Sequence, residues 1–136
     1  MTREILFRGK RIDNGEWVYG SLIKQTCGGK EKWYVVNVEN RAIIGTEVVP
    51  ETIGQYTGLK DKNGNKIFEG DILVSGQWTA LVLWNDSLAT FALQFPFEDK
   101  VGSKPLGEWQ TMAILSNVYD NPKLFECEER RWKKSK

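Results

Sequence analysis

Three carboxylates in the middle of the sequence are the residues whose possible chemistry is easiest to name. Asp61, Glu69 and Asp71 lie among glycines and short apolar runs, and carboxylates that share a pocket can bind a hard metal ion or transfer protons. Glu69 and Asp71 would share a face if Ile67–Val74 were one regular strand, but a bulge at Gly70 would separate them. Because the pattern supplies no third polar partner, we expect Asp71 to bond to its own loop backbone, and we assign no catalytic residue.

The same stretch has the beginning of a calcium-loop pattern. Asp61, Asn63 and Asn65 alternate as calcium ligands do. However, Lys66 stands where such a loop needs glycine, and Ile72 stands where it needs a bidentate carboxylate. The alternation therefore predicts a polar β-hairpin turn, because Asx and glycine residues suit turns for backbone reasons. We assign no metal site.

The sequence lacks the residue type that most often carries catalysis and binds zinc. It has no histidine and only two cysteines, Cys27 and Cys127. Histidine is the commonest general base near neutral pH and the commonest metal ligand, and a cysteine without an activating partner is usually inert. We therefore expect a protein that is not an enzyme and that uses no cofactor.

Cations and aromatic residues support an alternative based on binding. Single-stranded nucleic acid stacks its bases on aromatic rings and pairs its phosphates with cations, while the same residue types anchor protein interfaces. The candidates for either contact are Arg3, Arg8, Lys10, Arg11, Trp17, Arg130 and Arg131. The formal net charge is only +1, whereas a dedicated nucleic-acid-binding protein usually carries a strongly basic stripe of residues. Protein partners are therefore the first hypothesis and nucleic acid the second.

Short strands separated by turns must position these residues. Asn14 and Gly15 predict a tight hairpin turn before a strand that begins at Trp17, and Cys27–Glu31 is expected to be a flexible loop. The run Trp78–Trp84 is apolar on both faces, which favours a buried central strand with both tryptophans in the core.

These elements predict a mainly β fold with minor helix. Two arrangements are open: a small SH3-like barrel, or two small antiparallel sheets. We expect one β-rich domain over residues 1–125, with a hairpin and strands in 1–50 and a barrel-like part in 51–125. Residues 126–136 are expected to form a charged C-terminal tail.

Three blocks of sequence, taken in order, resemble the YopX family of phage and prophage proteins. The first combines Arg3–Arg8 with Trp17–Gly20; the second is Gly54–Gly64 followed by Ile67–Ile72; the third is the Asn-x-Tyr-x-Asn-Pro pattern that begins at Asn117. A small departure is Asp120, where the family often has glutamate. The motif residues that carry the resemblance are Gly54, Gln55, Tyr56, Thr57, Gly58, Asp61, Gly64, Glu69, Gly70, Asp71, Asn117, Tyr119, Asn121 and Pro122.

The resemblance implies a mostly β protein encoded by phages or prophages, with an uncharacterised role and self-assembly as one expectation. It carries over no catalytic residue, because none is defined for the family. We expect a non-enzymatic accessory protein that acts through protein–protein contacts, or alternatively one that binds nucleic acid. No apolar run is long enough to span a membrane, and the N-terminus lacks the apolar stretch of a signal peptide. We therefore expect no membrane partner and a location in the cytoplasm of a bacterial host.

Overall fold

The structure is a computed structural model that describes residues 3–76, 78–95, 104–105 and 112–124. Its strands are β1 (Phe7–Lys10), β2 (Trp17–Cys27), β3 (Lys30–Glu39), β4 (Ala42–Val48), β5 (Gly54–Lys60), β6 (Lys66–Phe68), β7 (Asp71–Ser75), β8 (Trp78–Asn85), β9 (Thr90–Gln94), β10 (Lys104–Pro105) and β11 (Ala113–Asn117). They form a first sheet with the order β4-β3-β2-β1-β5-β6 and a second with the order β10-β9-β8-β7-β11.

The predicted mainly β fold with minor helix is confirmed, and of the two arrangements left open the protein has two antiparallel sheets. Among the described residues neither sheet closes into a barrel. Among the residues that the structure describes, the helical segments are a 3-10 turn at Pro50–Thr52 and a helical turn at 122–124. Within the described part of the chain, no helix has the length and apolarity that crossing a bilayer requires.

The chain divides into two compact units, Met1–Tyr56 and Thr57–Lys136. The division falls inside β5, which spans Gly54–Lys60. The predicted charged tail at 126–136, with Arg130 and Arg131, lies outside the described residues and stays a prediction.

The first unit is built from long hairpins. Strands β2 and β3 pair as far as Cys27 opposite Lys30, so only Gly28 and Gly29 remain between them. Both glycines have positive φ, 59° and 78°, the conformation that a two-residue hairpin turn needs and that glycine adopts without strain. The expected flexible loop at Cys27–Glu31 is therefore wrong, because the two glycines form a tight turn and the strands continue up to it.

One face of this first-unit sheet is closely packed. Val35 and Val48 lie on that face and are fully or almost fully buried. Gly9 and Gly20 are required there by close approach: a Cβ would lie 3.0 Å from Val48 Cβ at Gly9 and 2.3 Å from the carbonyl oxygen of Val36 at Gly20. We call this side the inner face of the first sheet.

The second unit has an apolar core between its strands. Its buried members are Ile67, Leu73, Ala80, Val82, Leu93, Phe95 and Met112. Central strand β8 contributes Ala80 and Val82 to the core, whereas Trp78 and Trp84, on the same face of the strand, remain 46% and 44% exposed. The prediction that both tryptophans are core residues is therefore wrong. They lie at the two ends of the strand, where each ring packs edge-on against a phenylalanine.

Candidate functional site

Asp61 is a buried carboxylate whose oxygens are occupied by hydrogen-bond donors. Oδ1 accepts bonds from the backbone N–H groups of Asn63 and Asn65, at 2.9 and 2.8 Å. Oδ2 accepts the backbone N–H of Ile114 at 3.0 Å and, more weakly, the side-chain amide of Asn65 at 3.4 Å. Asp61 thereby shapes the β5–β6 turn and joins it to β11.

The electrostatics of Asp61 agree with this structural role. Burial acts to raise its pKa, but hydrogen bonds from Ile114, Asn65 and Asn63 outweigh burial, and the pKa of Asp61 is lowered from its ordinary value. A carboxylate with a lowered pKa is a poor general base. The alternation of Asp61, Asn63 and Asn65 therefore serves a hydrogen-bonded turn, as the sequence predicts.

Gly70 marks the corner at which the chain leaves the first sheet for the second. Strand β6 ends at Phe68 and β7 begins at Asp71, so Ile67–Val74 is two strands and not one strand with a bulge. Gly70 has φ +96°, its N–H donates to the carbonyl of Val82 at 2.8 Å, and a Cβ there would lie 2.6 Å from the Tyr119 ring. Positive φ and the covering ring both require glycine.

Polar side chains on both sides of this corner complete it. Asp71 is buried, and its Oδ2 accepts the backbone N–H of Phe68 at 2.8 Å, which closes the turn. Asn117 pairs with Asp71 in the β7–β11 ladder. Its Oδ1 accepts the backbone N–H groups of Tyr119 and Asp120 at 3.0 and 2.8 Å, so Asn117 holds the turn that places Tyr119 over Gly70.

The other motif residues also have local structural contacts. Gly54 and Gln55 pair with β1, and the N–H of the buried Tyr56 donates to the carbonyl of Leu6. The Thr57 hydroxyl donates to the carbonyl of Ile67 at 2.8 Å. Gly58 and Gly64 have φ of 89° and 85°. The side-chain amide of Asn121 donates to the hydroxyl of Ser116, and its backbone N–H donates to the carbonyl of Asn117. Pro122 begins the helical turn. Glu69 is half-buried beside Gly70.

The motif residues therefore support turns and strand pairing. Asp61 and Asp71 each accept backbone N–H groups of their own turns. Among residues 3–76, 78–95 and 112–124 there is no group of three or more Asp, Glu, Cys or His side chains arranged to hold a metal ion.

The N-terminal cations contact aromatic or acidic neighbours. The Arg8 guanidinium stacks on the Trp17 ring at 4.6 Å and is only 5% exposed, while Lys10 Nζ lies 5.5 Å from the same ring. Arg11 donates two hydrogen bonds to Asp13, at 2.9 and 2.8 Å. That pair raises the pKa of Arg11 and lowers the pKa of Asp13. Arg3 is exposed, whereas Arg130 and Arg131 lie outside the described residues.

The side of the first sheet opposite the inner face carries a group of apolar and aromatic residues. Alternation along the strands and the cross-strand pairs Ile23–Tyr34 and Val38–Ile43 place them together. We call this surface the outer face and define it by Tyr19, Ile23, Tyr34, Val36, Val38 and Ile43. Four of its members are 45%, 50%, 68% and 78% exposed, namely Tyr19, Ile23, Val38 and Ile43.

Sequence reasoning missed the outer face, although it had a signal. Trp17, Tyr19 and Ile23 alternate with Val18 and Leu22, so both faces of β2 carry apolar side chains. Such a pattern indicates a strand covered on both sides, or a strand with one apolar side left for a partner. The pattern does not say which.

Strand β4 ends the first sheet beside a cleft of about 400 Å³. The end of β4 is tied back to the β1–β2 turn, since the N–H of Ile12 donates to the carbonyl of Glu47 and the N–H of Val49 to the carbonyl of Lys10. Over Ala42–Thr46, the outer edge of β4 pairs with no other strand of the described residues. The residues that line the cleft are Arg11, Ile12, Asp13, Ile44, Gly45, Thr46 and Glu47.

Comparison with known proteins agrees with the sequence motifs. The family model described as YopX protein matches residues 6–126. No curated protein matches the chain. Among solved structures, the fold is similar to that of protein EF1440 from Enterococcus faecalis, with a TM-score of 0.54 and 19% identity over 91% of this chain and 99% of that one. At that identity the likeness shows the fold alone. The match over most of the sequence shows that the chain belongs to the YopX family.

Proposed function

We propose that this YopX-family chain is a non-enzymatic accessory protein of phage or prophage origin that acts through protein–protein contacts, self-assembly among them, in the cytoplasm of a bacterial host. The observation that carries the proposal is the outer face, where Ile23, Val38 and Ile43 are half or more exposed on neighbouring strands. Full burial of one such side chain is worth about 1.5–3 kcal/mol. A contiguous group of them is a surface that a partner can cover.

The chemistry of the described residues supports a role in binding over one in catalysis. The sequence contains no histidine, and the buried carboxylates Asp61 and Asp71 accept hydrogen bonds from backbone N–H groups. These groups support the turns around them, whereas the outer face carries exposed apolar side chains on three neighbouring strands.

Site-specific photo-crosslinking tests the proposal. A benzoylphenylalanine residue at Val38, in the outer face, should give crosslinked protein in host cells. The matched control is Leu88, which is 54% exposed in the second unit, compared with 68% for Val38. Ile23→Ser should reduce crosslinking at Val38 because it removes another exposed apolar side chain of the same face. Equal crosslinking at both positions, or none at Val38, would contradict the proposal.

Nucleic-acid binding is the second candidate. The observation in its favour is Trp17, whose ring has two cations close by, Arg8 and Lys10. Against it, the Arg8 guanidinium is nearly buried and Arg11 is paired with Asp13. Fluorescence anisotropy with labelled single- and double-stranded oligonucleotides tests it: binding that weakens steeply with added salt would favour this candidate, and absence of binding even at low salt would remove it.

A further inference from the structure

Gly45 is a strand glycine for which neither the backbone conformation nor the packing within its own chain requires glycine. Gly9 and Gly20 leave no room for a side chain, but a Cβ at Gly45 would meet only Val36 Cγ2, at an ordinary 3.8 Å. Gly45 is also absent from the residues with positive φ. A glycine inside a strand weakens it, and often marks a place where another backbone or ligand approaches closely. Gly45 lies in β4 at the edge of the sheet and lines the cleft.

The hydrogen-bonding direction of β4 follows from its contact with the β1–β2 turn. The carbonyl of Glu47 and the N–H of Val49 both point away from β3, because both bond to that turn. Backbone groups alternate in direction along a strand. The N–H and C=O groups of Ile43 and Gly45 therefore also point outward, along the part of β4 that pairs with no other described strand.

We propose that β4 pairs with β4 of a second copy of this chain, antiparallel, about a two-fold axis at Ile44. The inference rests on the proposed function, since it names a partner for the same unit. In this register Ile43 lies opposite Gly45 of the second copy, and the two residues exchange backbone hydrogen bonds on each side of the axis. The isologous contact closes after two copies.

The side chains fit this register. Ile43 is 78% exposed and shares the outer face with position 45, so the glycine of each copy leaves room for the isoleucine of the other. Arg41 of each copy lies opposite Glu47 of the other, so the dimer contains two pairs of opposite charges. The β3–β4 turn that carries Arg41 then reaches the cleft of the second copy, where Asp13 and Glu47 outnumber Arg11.

A neighbouring register is less favourable. An axis at Gly45 would place Ile43 opposite Glu47, whose outward carbonyl already accepts the N–H of Ile12. The composition of the edge agrees with pairing: Ala42–Val48 contains neither proline nor lysine, the residues that commonly block edge-to-edge association. Pairing would also join the outer faces of two copies into one larger surface.

Sedimentation velocity over a range of concentrations, on the full chain, tests the inference. Wild type should reach the mass of two 15.6 kDa chains. Gly45→Val fits its own chain but obstructs the second copy at two symmetric places, and should weaken dimerisation about a hundredfold. The control, Ser21→Val, adds the same side chain to the same face on β2 and should leave dimerisation unchanged. Thermal unfolding of both variants at low concentration verifies that they fold.

Charge exchange tests the register itself. Arg41→Asp is suitable because Arg41 has φ +67°, a conformation that aspartate tolerates. Arg41→Asp and Glu47→Lys should each weaken dimerisation about tenfold, and the double variant should recover most of the loss.

The outcomes separate this inference from the proposed function. A monomeric wild type, equal effects of Gly45→Val and Ser21→Val, or no recovery in the charge-exchanged double variant would overturn β4 pairing. If crosslinking at Val38 persists in any of these cases, protein–protein contact through the outer face still stands. Loss of specific crosslinking at Val38 together with an intact, Gly45-dependent dimer would instead overturn the wider function and leave the pairing.

Discussion

The motif turns around Asp61, Gly70 and Asn117 differ from the outer edge of β4 in the kind of side chain that they bury and expose. Around these turns the polar groups are buried and hydrogen-bonded: Asp61 joins its own turn to β11, and Asn117 holds the turn that covers Gly70. At the outer edge, apolar groups are exposed, with Ile43 78% accessible. The polar motif residues around these turns therefore support the fold, whereas the surface for which we propose contacts is mostly apolar.

Among these variants, Gly70→Ala should lower the free energy of unfolding most. The new Cβ would collide with the Tyr119 ring at 2.6 Å and would hold alanine at φ +96°. We expect a loss of about 3 kcal/mol or more in the free energy of unfolding, from overpacking together with backbone strain. Urea unfolding measures it.

The matched control for that prediction is Gly64→Ala. Gly64 has a similar φ of +85° but no neighbouring atom within 4 Å. Only the backbone strain should remain, about 1 kcal/mol. Equal losses in the two variants would show that the Tyr119 contact does not matter and that the corner is not a packed element.

Asp61→Asn should have the next largest effect. The amide keeps the shape of the side chain, but one carboxylate oxygen is replaced by a donor that faces backbone N–H groups. We expect a loss of about 2 kcal/mol, the usual cost of leaving buried partners unsatisfied. Asp13→Asn, which changes the exposed partner of Arg11, should leave unfolding by urea unchanged. A similar loss in both variants would contradict a special role for Asp61.

The pH dependence of stability tests whether Asp61 stabilises the fold as an ionised carboxylate. Because the folded-state pKa of Asp61 is lowered from 3.8, its contribution is fully present above that value and is lost as the pH falls through the folded pKa. The difference in unfolding free energy between wild type and Asp61→Asn should therefore be constant near neutral pH and shrink in acid. A difference that grows on acidification would reverse the assigned sign.

The smallest effect is expected on the outer face. Val38→Thr changes a residue that is 68% exposed and should alter stability by less than about 0.5 kcal/mol. Val35→Thr places the same hydroxyl on the buried face of the same strand, at 0% exposure, and should cost about 2 kcal/mol. Thermal or urea unfolding of the two variants compares them directly. A large effect at Val38 would show that the outer face is needed by the fold itself.

Sequence reasoning recovered the parts of this protein that depend on local backbone chemistry. Gly15 and Gly64 lie with positive φ in the turns that their neighbours predicted. The β2–β3 turn could also have been predicted, since paired glycines favour a two-residue hairpin, but the stretch was interpreted as a flexible loop. The structural role of Asp71 was expected from its position beside a glycine turn, and its bond to Phe68 agrees with it.

Burial was predicted less well. Trp78 and Trp84 are apolar residues of a central strand, yet both lie at its ends and are nearly half exposed. The strongest partner of Asp61 outside its own turn is Ile114, 53 positions away, and no local pattern points to it. Likewise, alternation placed Tyr19 and Ile23 on one face of β2 without showing whether that face would be covered.

The sequence by itself determined the family, the mainly β class and the positions of most turns, because glycine, asparagine and aspartate select turn geometry over a few adjacent bonds. The tertiary structure alone decided that Asp61 also bonds to distant Ile114, that one side of the first sheet remains exposed, and that β4 lies at an edge with Gly45 on it. The physical reason is the separation along the sequence of the residues that interact. A turn is set by its own backbone, whereas burial and edge position depend on which distant segments pack together, and that is settled only when the whole chain has folded.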